Sequence, residues 1–135
     1  MRRSVLAVVL ALIGLLCVAP SGAYADPVGE CQMITLNQVE TGQCLQDTLA
    51  TVDAVMNNAL ANAQAEADEL DQVTGRTEAR PALDRAQTSW SAFRALNCLV
   101  PAAMAAGASG SGHFTLGCQI SMARARTLEL QGIAG

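Results

Sequence analysis

The chain reads as all-α: a small antiparallel helical bundle of three main helices plus a short N-terminal helix, stapled by two disulfides. Three observations predict this. Apolar residues recur by threes and fours along Leu45, Leu49, Val52, Met56, Leu60 (or Ala59), Ala63, Ala67 and Leu70, the period of a helix face, over about seven turns. Two later stretches, Leu83 to Asn97 and Leu116 to Leu130, repeat that period, and the abundant alanine favours helix. Four cysteines, Cys31, Cys44, Cys98 and Cys118, follow the leader, and an even count in an exported domain predicts a disulfide framework.

The chain divides into a secretory signal peptide over 1–25 and a helical domain over 26–135. Arg2 and Arg3 precede the apolar run Val5 to Val18, and Ala23-Tyr24-Ala25 places small residues three and one before a cut ahead of Asp26. That run is short and soon followed by Pro20, so no stable membrane span is expected once the leader is cleaved. Removing Arg2 and Arg3 leaves six of the eight basic residues, all arginine, against twelve Asp and Glu, a net charge of −6. Such a balance excludes nucleic acid as a partner and suits a cationic one.

Taken in order, the elements follow from local signals. Helix is expected from about Leu36, with Gly42 separating a short first helix from the long second one. The second should end at Asp71 to Arg76, where Gly75 can adopt the left-handed conformation. The third should start between Thr77, as N-cap, and Pro81 in its first turn. In it Leu83, Ala86, Trp90, Phe93 and Asn97 form one stripe, which predicts that Trp90 and Phe93 bury together as the densest part of the core. Gln87, Ser91, Arg94 and Cys98 form the adjacent polar column, with Arg94 one turn beyond Trp90 and able to lie beside its indole. After Pro101 the chain enters Gly107, Ala108, Ser109, Gly110, Ser111, Gly112 and His113, which reads as a flexible loop. A last helix presents Leu116, Ile120, Ala123, Thr127 and Leu130 on one face.

Of the three possible cysteine pairings, Cys31–Cys44 and Cys98–Cys118 are favoured because each closes a short loop across a helix boundary. A four-thiolate zinc site is disfavoured: no Cys-x-x-Cys pair occurs. No catalytic, cofactor-binding or metal-binding residues are expected. His113, the only histidine, lacks a nucleophile framework in the sequence, and Glu66, Asp68, Glu69 and Asp71 fall on helix and turn surfaces where nothing would raise a pKa.

One pattern goes further. Gln38-x-Glu40-x-x-x-Cys44, then Asp53-x-x-Met56-Asn57, then Leu83-x-x-Ala86-Gln87-x-x-Trp90-x-x-Phe93-Arg94-x-x-x-Cys98, a Gly-Ser loop, and Cys118 followed by Arg126 and Leu130 resembles the LprI family of bacterial envelope proteins. The block Gln87, Trp90, Phe93 and Arg94 is its most specific part. Ala123 stands where the family tends to carry threonine, and Ala95 where an acidic residue is usual. The resemblance implies a small helical domain that inhibits lysozyme, located in the periplasm, cell wall or extracellular space, with a cationic lysozyme as protein partner and no cofactor. On that basis the segment Gly107 to His113 is expected to enter the enzyme's substrate cleft. The alternative is a general envelope structural or interaction module with another target.

Overall fold

A computed structural model describes residues 26–135, and the expected leader lies outside the described residues. The described chain forms five helices: α1 (Pro27–Gln32), α2 (Gln38–Thr74), α3 (Ala79–Asn97), α4 (Leu99–Met104) and α5 (Ser111–Ile133). At 1.5 Å per residue α2 is about 55 Å long, and it forms the spine of the molecule. Residue pairings along the bundle fix the directions. Arg80 and Asp84 of α3 meet Asp68 and Gln64 of α2, while Arg94 meets Asp53, so these two helices are antiparallel. Gln87 reaches Arg126 and Asn97 reaches Met122, so α3 also opposes α5. Helices α2 and α5 therefore run parallel, and they make the closest interhelical packing.

The core follows the predicted stripe of α2. Met56, Ala59, Ala63 and Ala67 pack with Leu83, Ala123 and Leu130, and a second cluster joins Val28, Cys31, Leu45 and Ile120. Alanines at four core positions (59, 63, 67 and 123) let the α2 and α5 backbones approach closely. Leu45, Ile120 and Leu130 are completely buried. Both disulfides have the expected connectivity, Cys31–Cys44 tying α1 to α2 and Cys98–Cys118 tying the end of α3 to α5.

Four local expectations are corrected. Gly42 does not end a helix: α2 runs through it, and the short first helix lies earlier, where Asp26 caps Val28 N and Pro27 occupies the first turn. Gly42 tolerates the helix interior because another residue packs on it; a Cβ there would come within 3.2 Å of His113 Nε2. Thr77 does not cap α3. The Asp71 carboxylate does so from the end of α2, accepting hydrogen bonds from the backbone N–H groups of Glu78, Ala79 and Arg80. Pro101 does not begin a loop but sits in the first turn of α4, where its missing N–H has no helical partner to lose. The Gly-Ser loop is shorter than expected, because Ser111, Gly112 and His113 already belong to the first turn of α5. Gly75, by contrast, ends α2 in the left-handed conformation, as its position predicts.

Candidate functional site: a polar lock and a stapled end

The fourfold column Leu83, Gln87, Trp90 and Arg94 faces the other helices, so α3 is turned about one residue away from the orientation that hydropathy suggests. Phe93 is 56 % exposed, and Ala86 and Asn97 are exposed with it; only Leu83 of the expected stripe is buried, and Trp90 is half-buried. The expectation of a joint Trp90–Phe93 core is therefore corrected. Its physical reason is that the inward face of α3 carries polar groups whose partners all lie on α2 and α5.

Those partners converge. Arg94 Nη2 donates to Asp53 Oδ1 of α2 at 2.8 Å and to the Gln119 carbonyl of α5 at 2.9 Å. Its side chain is only 13 % exposed. The Arg94 guanidinium lies over the Trp90 ring, 5.4 Å from its centroid, and the Arg126 guanidinium lies over the same ring at 5.8 Å. Arg126 Nε donates to Gln87 Oε1 at 3.0 Å, and its Nη1 reaches Glu129. Arg94 Nε is buried without an oxygen partner, leaving the electron-rich face of the indole as its nearest compensation. The result is a lock across three helices: two guanidiniums lie over one indole, and each is fixed by its own acceptors. Asp53, Gln119 and Arg126 complete it, and only Asp53 and Arg126 were visible in the sequence pattern, without any hint that they meet. A carbonyl such as that of Gln119 leaves no side-chain signal at all.

A cleft of about 190 Å³ opens beside the lock, lined by Asp53, Ser91, Arg94, Ala95 and Gln119. Ala95 is thus exposed at its rim, whereas Ala123 is fully buried against α2, so of the two positions that depart from the family pattern only the first lies on a surface.

The second feature is the end of the bundle where α2 and α5 begin. Gly107, Ser109 and Gly110 form the turn between α4 and α5, with Ala106, Gly107 and Gly110 at positive φ. Such a turn is compact rather than extended. Gly110 packs so tightly on α2 that a Cβ would come within 2.9 Å of Gln38 Oε1. His113, half-buried against Gly42, is part of this packing and not a loop tip.

The carboxyls with shifted acidity are all moved downward. Arg124 hydrogen-bonds Glu30 in a two-pronged pair at 3.0 and 2.9 Å and holds it below the ordinary range. The backbone N–H groups of Ala79 and Arg80 do the same for Asp71, and Gln64, with Arg80, for Asp84. A general acid needs the opposite, a carboxyl raised by burial. All four cysteines among the described residues are consumed in disulfides, so none of these four is left as a thiolate ligand or nucleophile.

The described chain is thus a small helical bundle cross-linked by two disulfides and held by a tryptophan–arginine lock. Over residues 31–130 the chain matches the family described as lysozyme inhibitor LprI, and it belongs to that family. The family is one of inhibitors rather than enzymes, and its protein partner is lysozyme at the level of the family. No curated protein and no solved structure matches the chain. Among the described residues no helix is long and apolar enough to cross a membrane.

Proposed function

We propose that the protein acts outside the cytoplasm as a stoichiometric inhibitor of a cationic lysozyme and occludes its substrate cleft. The observation that carries this reading is the family match over residues 31–130. The charge supports it: residues 26–135 hold six arginines and twelve acidic residues, a net −6, which favours encounter with a basic enzyme. Two disulfides suit an oxidising compartment, whether periplasm, cell wall or extracellular space, and the basic-then-apolar residues 1–25 suit export.

A lysozyme cleft holds two working carboxylates and is shaped for a sugar chain, so an inhibitor must present a narrow protrusion to it. The segment Gly107, Ser109, Gly110, Ser111, Gly112 and His113 is the proposed cleft-facing element, a tight turn followed by the first turn of α5, with its base held by Cys98–Cys118. The test is inhibition of lysozyme on a peptidoglycan substrate by the purified, disulfide-intact protein. Inhibition is expected at low salt and should weaken as the Debye length contracts from about 10 Å at 0.1 M to about 3 Å at 1 M salt. An inhibitor whose potency ignores salt would refute the electrostatic part, and no inhibition at low salt would refute lysozyme as the target.

A further inference from the structure

The link between α1 and α2, with the first turn of α2, presents apolar side chains to solvent. Met33, Ile34, Leu36 and Val39 are between 78 % and 94 % exposed, four large apolar side chains within seven residues. The polar side chains of the same segment are satisfied by bonds within it, Thr35 half-buried and Asn37 and Glu40 at the surface. Thr35 Oγ1 donates to the Cys31 carbonyl at 2.9 Å and lies 2.8 Å from Thr41 Oγ1. Asn37 Oδ1 accepts from the backbone N–H groups of Val39 and Glu40, while Glu40 Oε2 accepts from Leu36 N at 2.8 Å. This is a reciprocal cap of the capping-box kind, reaching one residue further back than usual. Cys31–Cys44 closes the segment from behind. Scattered exposed apolar residues need no explanation, but a fixed group of them does. Here the ordering cost of presenting the group has been met within the fold, which is how a preorganised binding surface gains affinity.

The same end of the bundle carries the turn between α4 and α5, through the contacts of Gly110 with Gln38 and of His113 with Gly42. Its charge is one-sided. No arginine or lysine occurs from Asp26 to Gly75 or from Cys98 to Ala123, and the first basic residue after that, Arg124, is tied to Glu30. Asp26, which lines a groove with Met33, and Glu40, which accepts from Leu36 N, lie beside the apolar group without a basic partner among the described residues.

We infer that the lysozyme-binding surface is this end of the molecule, with Ile34, Leu36 and Val39 as its apolar anchors and the flanking carboxylates matched to a basic enzyme. The inference rests on the proposed inhibition of lysozyme and specifies where it is exerted: the apolar segment supplies the contact area, and the neighbouring glycine turn lets the two surfaces close. An apolar anchor flanked by unpaired carboxylates is complementary to a cationic protein and is repelled by an acidic one.

Two double variants test it, each confined to exposed side chains so that the core is untouched. One is Ile34→Ser with Leu36→Ser. The other is Phe93→Ser with Leu96→Ser, which removes exposed apolar groups from the outer face of α3. Both are compared with the native, disulfide-intact protein for inhibition of lysozyme at low salt, after far-ultraviolet circular dichroism has established equal helicity. The first pair is expected to weaken inhibition tenfold or more, as loss of central anchors does, and the second to leave it within about twofold. Undiminished inhibition by the first pair, or equal weakening by both, would overturn this surface while leaving the inhibitor reading intact. Absence of inhibition by the native protein would remove lysozyme as partner, and this surface with it.

Discussion

Trp90 and Arg94 carry the greatest structural responsibility of any pair of residues in the molecule, because through them α3 touches both of its neighbours at once. Asp53, the Gln119 carbonyl, Gln87 and Arg126 are all reached from this pair or stacked on it. Phe93 illustrates the converse. It stands next to Arg94 in the sequence, belongs to the family pattern, and packs against none of the core clusters among the described residues. The two kinds of position should respond very differently to truncation. Leu130→Ala removes a completely buried side chain and is expected to cost about 2–5 kcal/mol, whereas Phe93→Ala should change stability by no more than about 0.5 kcal/mol. Urea denaturation of the two variants would check this, and a large loss from Phe93→Ala would mean that α3 is turned the way hydropathy suggests.

At the scale of elements, carboxylates bind the helices end to end and side to side. Asp71 closes α2 onto the start of α3, Asp84 links Gln64 and Arg80, and Glu30 joins α1 to Arg124 of α5. Each of these carboxyls is held below its ordinary value, 3.8 for the aspartates and 4.5 for the glutamate. A depressed pKa in the folded state contributes stability above the unfolded value, and that contribution is lost as the pH falls through the folded one. Melting temperature is therefore expected to hold steady from neutral pH to about 5 and to fall below about 4. The Asp71→Asn variant, which keeps the shape but not the charge, should melt lower at neutral pH and show a shallower acid decline. A native protein whose melting temperature rises on acidification would contradict these roles.

The same scale explains which elements could be read from the sequence. Helix α2 was legible because its apolar residues repeat at the helical period for most of its length, and the end at Gly75 because a left-handed cap favours glycine. The disulfides were legible from an even cysteine count and short separations. What misled was local chemistry answered from a distance. Gly42 looks like a helix breaker until His113 is seen to need its missing Cβ. Thr77 looks like a cap until Asp71, seven residues before Glu78, takes over the task. The face of α3 is misjudged because hydropathy ranks Phe93 above Gln87 and Arg94, and the partners that make those polar residues the inner ones lie 25 to 41 positions away in the chain. The apolar group at Met33 to Val39 escaped notice for a related reason: it fits no amphipathic period, and only the local hydrogen bonds of Thr35, Asn37 and Glu40 show that the segment is held in one arrangement.

For the whole molecule, the described bundle is elongated along α2, with two unlike ends. The lock sits in the middle, the α2–α3 turn and its arginines lie at one end, and the disulfide-closed segments lie at the other. In the proposed mode of inhibition, this end occupies the cleft in which lysozyme binds its sugar chain. Competition tests it most directly: titration of lysozyme with the disulfide-intact protein, followed by calorimetry, in the absence and presence of a saturating oligomer of N-acetylglucosamine. The account predicts that the oligosaccharide suppresses binding in proportion to its occupancy of the cleft. Formation of a ternary complex, with the protein binding sugar-filled lysozyme as tightly as free lysozyme, would contradict it.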